Sequence, residues 1–501
     1  MRILFLFLLL LTIQVDSLAQ KNKNKIDTHV EQIISTIVTQ EDAQAHLTFL
    51  AADEMRGRNI GTPEIDIAAN YIASQFRQWG IQAAPNTNNT YFQQVSFEKA
   101  VPASVISFSL DKQTFKLNDD IIQIGGTNLD FNGDVVFVGY GTRSDFEKTD
   151  VRGKLVVALV GTSEQLGNLF SAYNESTNKN QLSKEFGGVG LIEIYTFPGM
   201  PWQNIVSLLS TTPRIRLQKE TEGIPHFWMR NSDNTILTLL KENKKISGAI
   251  KTSGANLIYF KGRNVAGIVN GTDPVLKNEF LLVSAHYDHV GVRKKGNLPD
   301  SIYNGARDNA IGIVGLLETA RFFARNPQKR SIILLALTAE EVGLLGSLWY
   351  TEHPLIPLSK IVFNFNCDGA GYNDTTKATV IGLERTTAEE SILKACQVFG
   401  LQAIKDPVPE QNLFERSDNF NFAKKGIPAI DFAPGFKAFD AELMKYYHQP
   451  ADEVASLNFS YLEKYFRAYV YTNVILANIP TPPVWKVGDK FEPLSKKLYG
   501  K

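Results

Sequence analysis

His286-Tyr287-Asp288, Asp308, Glu340-Glu341, Asp368 and Tyr447-His448 are the residues of this chain whose types could do chemistry together. His286 follows a strand-like stretch at 280–285, the Glu pair follows 331–337, and Asp368 follows 361–366. Asp308 stands before a helical stretch at 311–325, and His448 before one at 461–477. In open α/β sheets ligands bind just beyond the carboxyl ends of the strands, so this order brings the groups to one sheet edge.

Each residue alone has a plainer reading. A histidine at a strand end is usually structural, Asp308 could cap a helix, Glu340-Glu341 could favour a helix dipole, and Asp368 before Gly369 could make a turn. All of these would have to hold at once on a chain with only seven histidines, which is a poor account of the pattern. Two imidazoles and three carboxylates exceed one four-coordinate site with an open position. They suit two borderline cations such as zinc sharing a bridging carboxylate. Two such ions roughly 3.5–4 Å apart activate a water and stabilise the developing oxyanion. Asp288 is placed to orient His286 by a hydrogen bond. One member of the Glu pair can ligate while its neighbour takes the water's proton.

The elements that must position these groups alternate from residue 262 onward. Strand-like stretches at 265–269, 280–285, 331–337, 361–366, 379–381 and 429–432 are separated by helical ones at 311–325, 342–352, 388–399 and 461–477. Near-continuous apolar strands between amphipathic helices predict an α/β fold, a three-layer sandwich with a mostly parallel central sheet. Upstream, 28–82 reads as helices; 65–80 sets Ile65, Ala68, Ala69, Ile72, Phe76 and Trp79 on one face before Gly80. Between them, short apolar strands such as 134–139, 154–160 and 191–195 predict a β-rich insert. The boundaries read as 1–19 signal peptide, 20–127 N-terminal helical segment and start of the α/β domain, 128–252 insert, and 253–501 the α/β domain that carries the candidate site.

Arg2, the apolar run 3–13 and Ser17-Leu18-Ala19 have the layout of a secretory signal peptide. The run is too short to span a bilayer comfortably, so no stable membrane anchor is expected after cleavage, and the location is periplasmic or extracellular. The charged leader Lys21–Lys25 follows it. Lys+Arg and Asp+Glu both total 52, so no net field favours nucleic acid. Two cysteines, Cys367 and Cys396, cannot build a disulfide framework, which leaves stability to packed cores.

The motifs SAHYDHVG (284–291), GARDNAIGI (305–313), AEEVGLLGS (339–347), NCDGAG (366–371) and YYHQPAD (446–452) resemble those of the secreted two-zinc aminopeptidases, metallopeptidase family twenty-eight. MRGRNIGTPEIDIAANYIASQF (55–76) resembles that family's N-terminal helical segment. GDVVFVGYG (133–141) with DVRGKLVVALVG (150–161) is similar to a protease-associated domain. The resemblance implies two Zn2+ per chain: His286 and Asp368 on one, Glu341 and His448 on the other, Asp308 bridging. It further implies Glu340 as general base, Tyr447 as stabiliser of the oxyanion, and peptides with a free N-terminus as substrates. The family often has Ser where Ile311 stands, Met where Gly369 stands, and His where Asn419 follows Ser417-Asp418. His29, His46, His226, His289 and His353 match no motif and are expected to be structural or exposed. The rival readings are a carboxypeptidase or dipeptidase, a single-zinc glutaminyl cyclase on the same fold, and a non-catalytic binding protein.

Overall fold

A computed structural model describes residues 28–500 apart from 163–168, 197–199, 211–212, 219–222, 232–233, 243–245 and 295–298. The export signal at 1–19 and the leader Lys21–Lys25 lie outside the described residues. The chain divides into two compact units: residues up to Val95 together with Lys261–Lys501, and Ser96–Phe260.

The first unit is built on strands β1 (Asn256–Val269, entering from residue 261), β2 (Phe280–His286), β3 (Ser331–Leu337), β4 (Ile361–Asn366), β5 (Lys377–Ile381), β6 (Gln402–Lys405) and β7 (Ala429–Pro434). Within its sheet they run in the order β6-β5-β7-β4-β2-β3-β1. β2, β3, β4 and β7 are mutually parallel. β1 is antiparallel to β3 and β5 antiparallel to β7, while β6 is parallel to β5. β3 reads SIILLAL and β4 reads IVFNFN, and every residue of both is buried. This is the continuous burial expected of strands covered on both faces rather than the alternation of a half-exposed sheet.

Helices α1 (Gln40–Leu50), α2 (Pro63–Gln78), α3 (Ile311–Arg325), α4 (Leu345–Glu352), α5 (Glu389–Val398) and α6 (Phe459–Asn478) accompany it. α3 is buried on all sides from Ile311 to Phe323. It carries one buried acid, Glu318, neutralised by Arg321 at 2.7 Å. α2 buries Ile65, Ala68, Ala69, Ile72 and Phe76 as its spacing predicts, but it ends at Gln78 and leaves Trp79 half-exposed. The stretch predicted as helix from 342 starts only at Leu345, because Gly343 and Leu344 both take left-handed backbone (φ 114° and 58°). Glu340 and Glu341 therefore lie in a turn and not in the first turn of a helix.

The second unit holds an eight-stranded mixed sheet. Gly190–Tyr195 lies between Leu155–Leu159 and His226–Arg230, parallel to both. The unit is wider than the predicted 128–252 insert. Val105–Leu110 pairs with Ile246–Ser253, and Ile121–Gly125 pairs with His226–Arg230, so strands ahead of residue 128 share its sheet. A core that includes Phe108, Leu155, Ile192, Phe227 and Ile250 fills it.

Candidate metal centre

The site collects at the carboxyl ends of β2, β3 and β4. His286 is the last residue of β2; one residue on, the Tyr287 N–H donates to the Leu337 carbonyl at the end of β3 (2.9 Å). Asp308 sits in the irregular turn Ala306–Ala310 that opens α3, preceded by Gly305 at φ 63°. A Cβ at Gly305 would come within 2.4 Å of the Asp308 carbonyl oxygen and 2.6 Å of the His289 ring, so the close approach of these two segments requires glycine. Ala339 and His448 adopt positive φ without being glycine (59° and 50°). Each residue lies at the point where its loop turns a ligand-type side chain inward.

The predicted residues do meet. His286 Nε2 is 3.1 Å from Asp368 Oδ1, 3.4 Å from Asp308 Oδ1 and 4.0 Å from Glu340 Oε2. His448 Nε2 is 3.0 Å from Asp308 Oδ2 and 3.2 Å from Glu341 Oε2. The two oxygens of Asp308 thus face different imidazoles. The donors form two groups, His286 with Glu340 and Asp368, and His448 with His289, Asp308 and Glu341.

His289 is the residue whose place the sequence did not reveal. It is fully buried, its Nδ1 stands 2.7 Å from Glu341 Oε1, and its ring meets that of His448 edge-on at 5.4 Å. The pair is off the hydrogen-bond axis, leaving His289 Nδ1 and Glu341 Oε1 buried without a hydrogen-bond partner. Four carboxylates and three imidazoles in one cluster, three of them buried and four half-buried, with orphaned polar atoms among them, are a donor set suited to divalent cations. His29 and His353 are exposed, and His46 and His226 are buried elsewhere. Cys367 is buried against the Tyr465 hydroxyl (3.3 Å) and belongs to neither donor group.

Surrounding groups orient the cluster. His286 Nδ1 faces the backbone carbonyl of Asp288 at 3.2 Å, which requires the proton on Nδ1 and leaves the Nε2 lone pair toward Asp368. The Asp288 carboxylate, 3.8 Å from that nitrogen, is used otherwise: it accepts the backbone N–H groups of Glu340 (3.1 Å) and Glu341 (3.2 Å). Arg58 is buried and donates to the carbonyls of Tyr287 (2.9 Å), Asn304 (2.7 Å) and Gly305 (2.9 Å), tying the His286 and Asp308 loops together. Asp452 accepts the N–H groups of Arg307 (2.9 Å) and Asp308 (3.2 Å). Ser417 donates to Asp368 Oδ2 at 2.6 Å. Asn419 instead donates to the Phe414 carbonyl (3.1 Å), outside the cavity lining. Burial, with Asp368 and Glu341 beside it, pushes the Glu340 carboxyl well above the usual carboxylate range against the pull of His286. Tyr447 lines the same cavity, and burial raises its hydroxyl pKa, so it stays a proton donor.

A largely parallel sheet thus carries paired carboxylates and imidazoles at its strand ends. Residues 264–472 match the model of peptidase family M28. Aminopeptidase YwaD of Bacillus subtilis (strain 168) is 26% identical over 326 residues, which are 64% of this chain and 61% of that protein. A vacuolar membrane protease of Lachancea thermotolerans is 28% identical over 220 residues, 44% of this chain and 21% of the relative. The chain thus spans about three fifths of the first relative and about a fifth of the second. The solved aminopeptidase from Aneurinibacillus sp. strain AM-1 shares the fold, with a TM-score of 0.57 at 20% identity over 90% of this chain and 97% of that one.

Proposed function

We propose that this protein is an exported zinc exopeptidase that releases N-terminal residues from peptides. The observation that carries this reading is the placement of Asp308 Oδ1 toward His286 and Oδ2 toward His448, which suits a carboxylate shared by two ions. His286 and Asp368 would hold one zinc and Glu341 and His448 the other, with Asp308 available to both. When bound, such a pair supplies Lewis acidity toward a water and toward the scissile carbonyl.

The chain's own groups do the rest. Glu340, in its ionised form, takes a proton from the attacking water and returns it to the departing amine nitrogen. The Tyr447 hydroxyl donates to the carbonyl oxygen as charge develops on it. Asp288 fixes the backbone of Glu340 and Glu341, and its carbonyl fixes the tautomer of His286. The substrate's free α-amine lies among the carboxylates of this acidic cavity, which favours exopeptidase action. The sheet is read as the middle of a three-layer sandwich, and Ser96–Phe260 as a protease-associated insert. Export rests on the signal-like 1–19; no helix among the described residues is long and apolar enough to cross a membrane.

The test is amine release from aminoacyl anilides, each beside its N-acetylated twin, with zinc-loaded and chelated protein. Chelator-sensitive cleavage of the free-amine forms alone is the expected result. Cleavage of neither form by protein holding two zincs would overturn the aminopeptidase reading in favour of a carboxypeptidase or dipeptidase. No cleavage with one zinc would favour the cyclase.

A further inference from the structure

Tyr447, the proposed donor to the scissile carbonyl, has a fixed place in the lining of the metal-ligand cavity. Its ring stacks on that of His448 at 4.3 Å and meets Phe439 edge-on at 6.0 Å. Its hydroxyl stands 3.2 Å from Arg416 Nη2. A guanidinium carries donors and no acceptor. The Tyr447 oxygen therefore accepts from Arg416, and its own proton stays free for the substrate.

Arg416 alone is a lysine or arginine among the residues that line this cavity, where the acids are Asp308, Glu340, Glu341, Asp368 and Asp431. Its main chain is anchored on both sides. The Arg416 N–H donates to the Leu413 carbonyl at 3.0 Å, and the next residue, Ser417, donates to Asp368 Oδ2 at 2.6 Å. The side chain pairs with none of those acids. Among the described residues it forms no ion pair, and the Tyr447 hydroxyl is its hydrogen-bond partner. The planar fork of a guanidinium matches a carboxylate with two parallel N–H bonds, and here that carboxylate has to come from outside the chain.

We propose that Arg416 binds the C-terminal carboxylate of a dipeptide and so makes dipeptides the preferred substrates. This rests on the aminopeptidase reading above and names its substrate class. In a dipeptide that carboxylate lies three bonds, roughly 3–4 Å, from the scissile carbonyl carbon. Tyr447 meets the oxygen of the same carbonyl, and Arg416 stands one hydrogen bond beyond Tyr447, which brings the carboxylate within reach of the guanidinium. Each further residue in a longer peptide moves the carboxylate away by up to about 3.6 Å. An acidic side chain reaches the same place only through extra rotatable bonds, whose ordering opposes binding. Arg416 is exposed, and water screens an exposed pair, so the anchor sets a preference of modest size and does not gate turnover.

The experiment measures kcat/KM for leucyl-alanine in its free, C-terminally amidated, N-acetylated and doubly blocked forms. It uses the zinc-loaded protein and Arg416→Gln, which keeps an N–H for Tyr447 and loses the charge. The amine requirement tests the aminopeptidase reading, and the carboxylate requirement tests the anchor. The expected result is an acid-to-amide ratio of about tenfold that falls to near unity in the variant. Equal rates for acid and amide, or a ratio that survives in Arg416→Gln, would overturn the proposal and leave the aminopeptidase reading standing. An Arg416 that serves only to hold Tyr447 would slow acid and amide alike and keep the ratio. Cleavage of the N-acetylated acid instead of the free-amine forms would sink the aminopeptidase reading; the same loss of ratio in the variant would still support the anchor. If no form is cleaved, titration calorimetry with the same intact peptides decides. Tighter binding of the acid than of the amide, lost in Arg416→Gln, would support the anchor, and equal or undetectable binding would overturn it.

Discussion

The carboxylate of Asp288 accepts the backbone N–H of Glu340 at 3.1 Å. Its second oxygen does the same for Glu341, so one buried acid sets the backbone of both the proposed base and a proposed ligand. The residue acts on the Glu pair through its side chain and on His286 only through its main-chain carbonyl. Asp288→Ala should therefore loosen Glu340 and Glu341 together while His286 keeps its orientation. Groups that orient metal ligands cost about 10- to 100-fold when removed. We expect a loss of that size in kcat, with Asp288→Asn milder because one acceptor survives. A loss in the first zinc's affinity with unchanged kcat would contradict this division of labour.

Glu340 and His448 separate base from ligand. Glu340→Gln should keep two zincs per chain and lose on the order of 10²–10⁴ in kcat, the usual contribution of general-base catalysis. His448→Ala removes a group lying 3.0 Å from Asp308 and 3.2 Å from Glu341, and should cost one zinc. Metal content by atomic absorption beside steady-state rates distinguishes the two. A two-zinc His448→Ala, or a near-normal Glu340→Gln, would remove the corresponding role.

The largely parallel sheet was legible because its strands are buried on both faces. Ser331–Leu337 and Ile361–Asn366 are observed at their predicted bounds, since no polar alternation blurs such runs. The residues expected at the site were legible because each follows one of those strands or precedes a helix. What escaped was set by contacts distant in sequence. The second unit starts early because Val105–Leu110 pairs with Ile246–Ser253, a partnership no local pattern announces. α4 starts late because Gly343 and Leu344 turn left-handed. His289 escaped because, three residues past His286, only the turn of its loop decides whether it faces Glu341 or a packed core. The spacing His286-Tyr287-Asp288-His289 was the only signal. His289→Ala should weaken binding of the zinc shared by Glu341 and His448 by about 10- to 100-fold, read as competition with a chelator of known affinity. Unchanged affinity would return His289 to a packing role.

Away from the site, His46 gives stability a pH dependence of known sign. It is buried in α1, with Nδ1 2.7 Å from the Tyr71 hydroxyl and its ring edge-on to Trp79. Burial, helped by the nearby Arg321 charge and opposed by Asp42, lowers it to about 4. An unfolded histidine titrates near ~6.5, so between those values the unfolded chain binds the extra proton. Stability is then complete above ~6.5 and falls as pH drops toward 4, by at most about 3 kcal/mol from this group. His46→Gln removes the titration, and its unfolding midpoint should decline less than that of the wild type between pH 7 and pH 4.5. Zinc loss in acid affects both proteins alike, so the difference between their two slopes isolates His46. Parallel slopes would mean that its ring remains open to water and charges freely in the folded state.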